Sequence, residues 1–301
     1  MRVLVINQNN IIQDGQNNKL VYKFPNSVVF KNNYIAVSSI TMYYSWFNIT
    51  STYQNNKFTY IWYTAAGPIP FDITIPDGLY EISTLNQLLQ FECIKNGTYL
   101  INAAGQNSYY MEFLVNPSRY AVQINTFNFP TSLPVGFTLP PNWVGSFPVQ
   151  SFNPSIIIPK NLNIIFGYPE NFTTDPNLNN AYVPPTSTYI AKNGAGTLSY
   201  LSTSAPNLQP NSSIYVSMSN INNSYSQPSS IIYSIIPTVA VGEIITERPP
   251  QFMWNKLIDG TYNELRMTFL GTDFQQIKIN DPQMTILLTI KDIDEPFSGK
   301  N

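Results

Sequence analysis

Tyr34-Ile-Ala-Val-Ser-Ser-Ile-Thr-Met-Tyr-Tyr44 runs for eleven residues without a glycine, a proline or a charge. It is rich in β-branched and aromatic side chains, which pack well on a pleated surface, and it reads as a long strand. The same texture recurs on both sides of it. Phe58-Thr-Tyr-Ile-Trp-Tyr63 puts Phe58, Tyr60 and Trp62 on one face and Thr59 and Ile61 on the other. Phe71–Ile75 alternates, and so do Leu265, Met267 and Phe269, then Met284, Ile286, Leu288 and Ile290. Further candidate strands are Met1–Ile6, Lys19–Phe24, Tyr109–Val115, Tyr120–Phe127, Asn163–Phe166, Ile214–Met218, Ser230–Ile236 and Glu243–Thr246. Short strands separated by turn residues make an all-β sandwich or barrel.

One helix interrupts the pattern. Ser83 and Thr84 offer capping hydroxyls, with Gln87 three residues after Thr84. Leu85, Leu88 and Leu89 follow at helical spacing, and Asn96-Gly97 ends the run. A single helix in a β chain is expected to cover one end or edge of a sheet. Residues 128–212 differ again, holding 13 of the 24 prolines but only four charges, Lys160, Glu170, Asp175 and Lys192. Proline at that density suits loops better than central strands. Phe129, Phe137, Trp143, Phe147, Phe152, Phe166 and Tyr168 argue against disorder, which is poor in aromatics. An ordered, proline-rich excursion or a small inserted β domain is expected there.

Composition removes much of enzymology. Of 301 residues 43% are hydrophobic, 14% aromatic and 11% charged, with a net charge of −2. Polar surface must come from uncharged groups, and 36 residues are asparagine. The charge balance argues against nonspecific nucleic-acid binding. No histidine is present, which excludes Ser-His-Asp and Cys-His catalysis and histidine-ligated zinc. Cys93 is the single cysteine, so no intrachain disulfide forms, and it reads as a small buried hydrophobe. Met1–Ile6 has too short an apolar run for a leader, and no stretch approaches a membrane span. A soluble, reduced protein made in a cytoplasm is expected, with the sequons at Asn48, Asn96, Asn171, Asn211 and Asn222 arising by chance.

Individual motifs are weak. Gly194-Ala-Gly196 lacks the strand–turn–helix setting of a dinucleotide site. Asp273, Asp281, Asp292, Asp294 and Glu295 offer hard oxygen atoms but not the ordered spacing of a calcium loop, and read as a solvated acidic cluster. Two carboxylates suffice for glycoside hydrolysis, yet the 17 scattered acids nominate no pair. No catalytic, cofactor-binding or metal-ligating residue is therefore assigned. Residues 7–18 carry two apolar side chains, and the last ten are polar and broken by proline, so both ends read as arms. A large aromatic inventory with little charge is the composition of interface cores.

Three stretches carry a resemblance. Thr41-Met-Tyr-Tyr-Ser-Trp-Phe-Asn-Ile49 resembles the Tyr-Tyr-Ser-Trp-x-Asn-Ile segment ending an early strand in the minor capsid (penton) proteins of virophages and Polinton (Maverick) elements. Ile75-Pro-Asp-Gly-Leu-Tyr-Glu-Ile-Ser83, followed by Leu85-Asn-Gln-Leu88, is similar to the stretch before that family's helix. Asp281–Ile290 is similar to its closing strand. The likeness spans residues 34–96 and 259–291 and leaves 128–212 unmatched.

The resemblance implies a single jelly-roll β-sandwich with one short helix and no enzymatic activity. It would comprise residues 1–127 and 213–301, with 128–212 as the insertion. It implies a structural protein that forms homopentamers at the five-fold vertices of an icosahedral virion. The neighbours there would be double-jelly-roll major capsid proteins. The composition of 128–212, outside the likeness, suggests a projecting insertion that meets a host or giant-virus receptor. Synthesis in a host cytoplasm or viral factory would follow. Trp46 and Phe47 are candidate subunit-interface anchors, with capping of the core as the equal alternative. The rival functional readings are a jelly-roll carbohydrate- or receptor-binding module, such as a fibre or spike, and a histidine-free glycosidase.

Overall fold

The computed structural model describes residues 1–14, 17–175, 196–209 and 211–292. The chain opens with strands β1 (Arg2–Ile6), β2 (Ile11–Asp14), β3 (Asn17–Phe30) and β4 (Asn33–Tyr43). Then come β5 (Lys57–Thr64), β6 (Gly67–Thr74), helix α1 (Ile82–Asn96), β7 (Leu100–Ile101), β8 (Asn107–Ser108), β9 (Met111–Asn116) and β10 (Ala121–Thr126). The proline-rich stretch contributes β11 (Ser155–Ile158), helix α2 (Leu162–Phe166), β12 (Phe172–Thr173) and β13 (Leu198–Leu201). The chain continues through β14 (Ile214–Met218), β15 (Ile231–Ile235), β16 (Ile244–Glu247), β17 (Asn255–Lys256), β18 (Gly260–Leu270) and β19 (Thr285–Asp292). Two compact units result, one from Met1–Trp46 with Gln209–Asn301, the other from Phe47–Leu208.

The strand order of the first unit defines its fold. One sheet runs β1-β19-β4-β16, with β17 also on β4; the other runs β15-β14-β18-β3-β2. Setting aside the short β2 and β17, the unit's first strand pairs with its eighth and its second with its seventh. The third pairs with the sixth and the fourth with the fifth. Four antiparallel pairs rolled in that sequence are a jelly roll. The inner faces are lined as the alternation requires: Leu265, Met267, Phe269, Met284, Ile286, Leu288 and Ile290 are all buried. Ile35, Val37, Ile40 and Met42 of the founding strand join them.

The second unit is inserted between the third and fourth jelly-roll strands, and it starts earlier than expected. The sequence reading assigned residues 1–127 to the jelly roll and began the insertion at 128. Instead β5 pairs with β6 on one side and with β11, from the proline-rich stretch, on the other. Phe58, Tyr60 and Trp62 pack in one core with Leu85, Leu89, Val122, Ile124, Ile156 and Phe166. β5 and β6 alternate like sandwich strands, and period-two patterning says nothing about which distant strand completes a sheet.

Local chemistry explains the remaining elements. α1 begins at Ile82, where the Thr84 hydroxyl accepts from the Glu81 N–H at 3.0 Å, and ends at Gly97 in the left-handed region. A Cβ at Gly97 would sit 1.9 Å from the Asn142 carbonyl oxygen, so only glycine fits. Asn163–Phe166, read as a strand, is the short helix α2. Gly167 closes it at φ 79°, donating to the Asn163 carbonyl at 2.7 Å, and five residues are too few to display a period. Residues 7–18, read as an arm, instead hold a turn around Asn7 and the β2 strand paired with β3. Backbone ladders need no apolar side chains. Of the C-terminal acids, Asp294 and Glu295 lie outside the described residues, as do Lys192 and Gly194. No described helix is long and apolar enough to cross a membrane.

Candidate assembly surface

The jelly roll turns two sheet faces outward, and they differ in chemistry. Residues directly opposite across an antiparallel pair share a face. On the β1-β19-β4-β16 sheet, Val3 lies opposite Thr289, Val5 opposite Leu287 and Leu287 opposite Ser39. Thr285 and Thr246 flank Thr41, and Ile244 lies opposite Tyr43. A bulge in this ladder brings the Ser38 hydroxyl into hydrogen-bond contact with that of Thr289. The face is therefore aliphatic and hydroxylic. Lys256 and Lys291, both opposite Tyr34, bring its cations together at one end. The Lys291 ammonium lies 4.3 Å from the centre of the Trp254 ring there.

The other sheet presents ordinary solvated chemistry. Glu264 lies opposite Lys23, Arg266 opposite Val21 and Thr268 opposite Lys19. The Arg266 guanidinium pairs with Glu264 on the same strand at 2.5 Å.

Sheet edges are also treated differently. β6 ends the β12-β11-β5-β6 sheet and carries Pro68 and Pro70, each facing a residue of β5. A proline in a ladder leaves its missing donor on the open side, so this edge cannot template another strand. The free edge of β9 is covered by α1, whose Asn86 side-chain oxygen accepts from the Phe113 N–H at 2.9 Å. β1, an edge strand of the low-charge face, carries no proline, and among the described residues no further strand pairs with its free edge.

Trp46 and Phe47 are placed apart by burial. Trp46 is 4% exposed, stacks on Tyr44 with ring centres 4.0 Å apart and bridges to Ile279. These contacts bury it within the jelly-roll unit. Phe47, in the inserted unit, is half-buried. Sequence reasoning missed the uncharged sheet face. The signal was present in the alternate positions Ser39, Thr41 and Tyr43, and in Thr285 and Leu287, which complement the buried set; Thr289 and Ala36 opposite it, though on the same face, are already buried within the chain.

Two buried polar groups fasten this region. Asp281, 2% exposed, accepts from the Tyr43 N–H at 2.6 Å and from the Gln283 N–H at 2.7 Å. In the inserted unit, the Asn48 amide donates to the carbonyls of Tyr80 and Leu208 at 2.8 and 2.9 Å. Its oxygen accepts from the Tyr80 N–H at 2.9 Å. Ile49 and Gly78 exchange backbone hydrogen bonds beside it.

Several tyrosines are held neutral by burial. Burial, reinforced by the hydrogen bond to Glu247 and its charge, pushes Tyr233 up to about 12. Burial and the charge of Asp175 push Tyr200 up to about 12, and burial raises Tyr60 and Tyr168 further. A tyrosine with a raised pKa is a poor base and nucleophile at neutral pH. Among the described residues no three His, Cys, Asp or Glu side chains group as metal ligands. The aromatics of the proline-rich stretch pack inward: Phe129 lies 4.5 Å from Trp62, centre to centre, and stacks on Phe147 at 5.5 Å. Trp143 and Phe147 keep part of their rings at the surface.

No protein-family model matches the chain, and no curated protein matches it. Among solved structures it is similar to the mavirus penton protein at 11% identity and a TM-score of 0.40, over 96% of this chain and 98% of that one. It is also similar to a chain of the Sputnik virophage at 10% identity and a TM-score of 0.35, over 96% and 97%.

Proposed function

We propose that this chain is a structural capsid protein that forms pentamers at the five-fold vertices of an icosahedral virion. The observation that carries the reading is where the three family-like stretches fall. Thr41–Ile49 ends the third jelly-roll strand and starts the insertion. Asp281, which opens the closing stretch, binds the Tyr43 backbone, and Tyr80 of the helix-leading stretch binds Asn48. Each stretch thus supplies a joint of a jelly roll interrupted after its third strand, and the resemblance rests on the parts that build that architecture. A sandwich with one outer face nearly free of charge suits a subunit whose output is its shape.

In this reading the partners are four further copies in the ring and double-jelly-roll major capsid proteins around it, in the virion. Phe47 has surface left to offer a neighbour, whereas Trp46, 4% exposed, has little. Native mass spectrometry across a concentration series tests the reading. Five times the 34.0 kDa chain is the expected assembly. A trimer would favour a fibre or spike instead. The half-exposed Trp143 and Phe147 are the rings that a carbohydrate-binding reading would use, and glycan binding by a monomeric protein would favour it.

A further inference from the structure

We propose that the outer face of the β1-β19-β4-β16 sheet is the surface on which a second copy of this chain packs. This rests on the self-assembly reading and names the surface that performs it. The argument starts from the sister face. Both faces belong to one jelly roll, so a low-charge composition alone cannot account for the difference between them. Where the chain meets water it places Lys19, Lys23, Glu264 and Arg266 on a sheet. On the β1-β19-β4-β16 sheet it places Val3, Val5, Leu287 and Ile244 among serines and threonines. Val3, Val5 and Ile244 are 61%, 46% and 50% exposed, so nothing in the described chain covers them fully.

The occupant follows from charge. Desolvating an ion without a partner is costly, so a face of this kind selects a surface equally poor in ions. With 11% charged residues and 36 asparagines, the chain itself offers such surfaces. A second copy can therefore cover Val3, Val5 and Ile244 without stranding a charge. The β1 edge borders the same face, no further described strand pairs with it, and no proline on β1 bars close approach of another backbone. In a ring the face meets a different patch of the next copy; meeting itself, it would give a two-fold dimer.

The test uses the full-length chain with Val5→Lys and Ile244→Lys on opposite edges of the face, and Val29→Lys on the sister sheet as control. Val29 is 66% exposed and equally apolar. Mass and sedimentation are read over a concentration series, with thermal unfolding to show that each variant folds. The expected result is that both face variants weaken assembly by about tenfold or more, while Val29→Lys assembles as the parent does. Parent-like assembly of both face variants overturns the proposed surface and leaves the pentamer reading standing. A parent dimer that the face variants abolish supports the surface and overturns the pentamer. A parent that stays monomeric at every concentration overturns both.

Discussion

The two outward faces of the jelly roll are made by the same chain in the same solvent, yet only one is furnished for water. Lys19, Lys23, Glu264 and Arg266 hold hydration on the β15-β14-β18-β3-β2 side. Their counterparts on the other sheet are Val3, Val5, Ser39, Thr41, Ile244 and Leu287, with cations, Lys256 and Lys291, only at one end. The inner faces show no such asymmetry, since each sheet buries an unbroken set of aliphatic and aromatic side chains. Stability is thus built symmetrically and solvation is not. An asymmetry in solvation that stability does not require is what a docking surface leaves on a sequence.

The comparison breaks most visibly if the inner faces are unequal. Phe269→Ala in β18 and Leu288→Ala in β19 remove fully buried side chains from opposite sheets. Each is expected to cost about 3–5 kcal/mol, the usual range for large-to-small changes in a packed core. Urea unfolding measures this. A cost confined to one sheet would mean that the other is held by something outside the core.

A smaller effect probes the polar anchor behind the uncharged sheet. The Asp281 carboxylate is buried and satisfies the Tyr43 and Gln283 N–H groups. Asp281→Ala leaves both donors without this acceptor and is expected to cost about 2–3 kcal/mol, whereas Asp281→Asn, which keeps one acceptor oxygen, costs less. If both variants unfold like the parent, the Tyr43 backbone is held by the ladder with β16 alone.

Alkali tests the rim where β15 meets β16. Tyr233 titrates near 12 in the fold against 10.0 for a free tyrosine, because it is buried against Glu247. Protonated tyrosine is favoured by the folded state, so this contribution is intact below pH 10 and is lost as pH rises towards 12. The melting temperature is expected to fall over that window. Tyr233→Phe should flatten part of the fall, leaving that due to the other tyrosines raised by burial, Tyr60, Tyr168 and Tyr200 foremost and Tyr44, Tyr80 and Tyr109 besides. An unchanged profile in Tyr233→Phe would place the alkaline sensitivity in the other buried tyrosines, Tyr44 of the jelly roll included.

Much of this was legible in the sequence, for reasons that also set the limits. Strand positions are local: alternation at Leu265–Phe269 and Met284–Ile290 identifies inner and outer residues directly. The helix at Ile82–Asn96 announces itself through leucine spacing and Gly97. The partner of a strand is not local, so nothing in Phe58–Tyr63 points to Ser155–Ile157 as its neighbour. That is why the insertion was read as beginning 81 residues too late. Trp46 was equally opaque, because a tryptophan at the end of a strand reads alike whether it stacks on Tyr44 or on another subunit. The candidate surface lay in the complement of the core pattern, in which residues are absent rather than which are present.

The smallest effect is the one that most sharpens the comparison. Glu264 and Arg266 pair at the surface, with the arginine side chain 67% exposed and the glutamate 31%. Ion pairs in that setting contribute about 0–1 kcal/mol, since water already solvates both partners and salt screens them. Glu264→Gln is therefore expected to change stability by no more than about 0.5 kcal/mol, and to leave assembly untouched. Val5→Lys should have an equally small effect on the unfolding of the isolated subunit, because its position is half exposed. The two variants should then agree in denaturation and differ in mass. If Glu264→Gln instead cost about 2 kcal/mol, the charges on that face would be structural rather than solvating. The contrast between the faces would then say nothing about which of them meets another molecule.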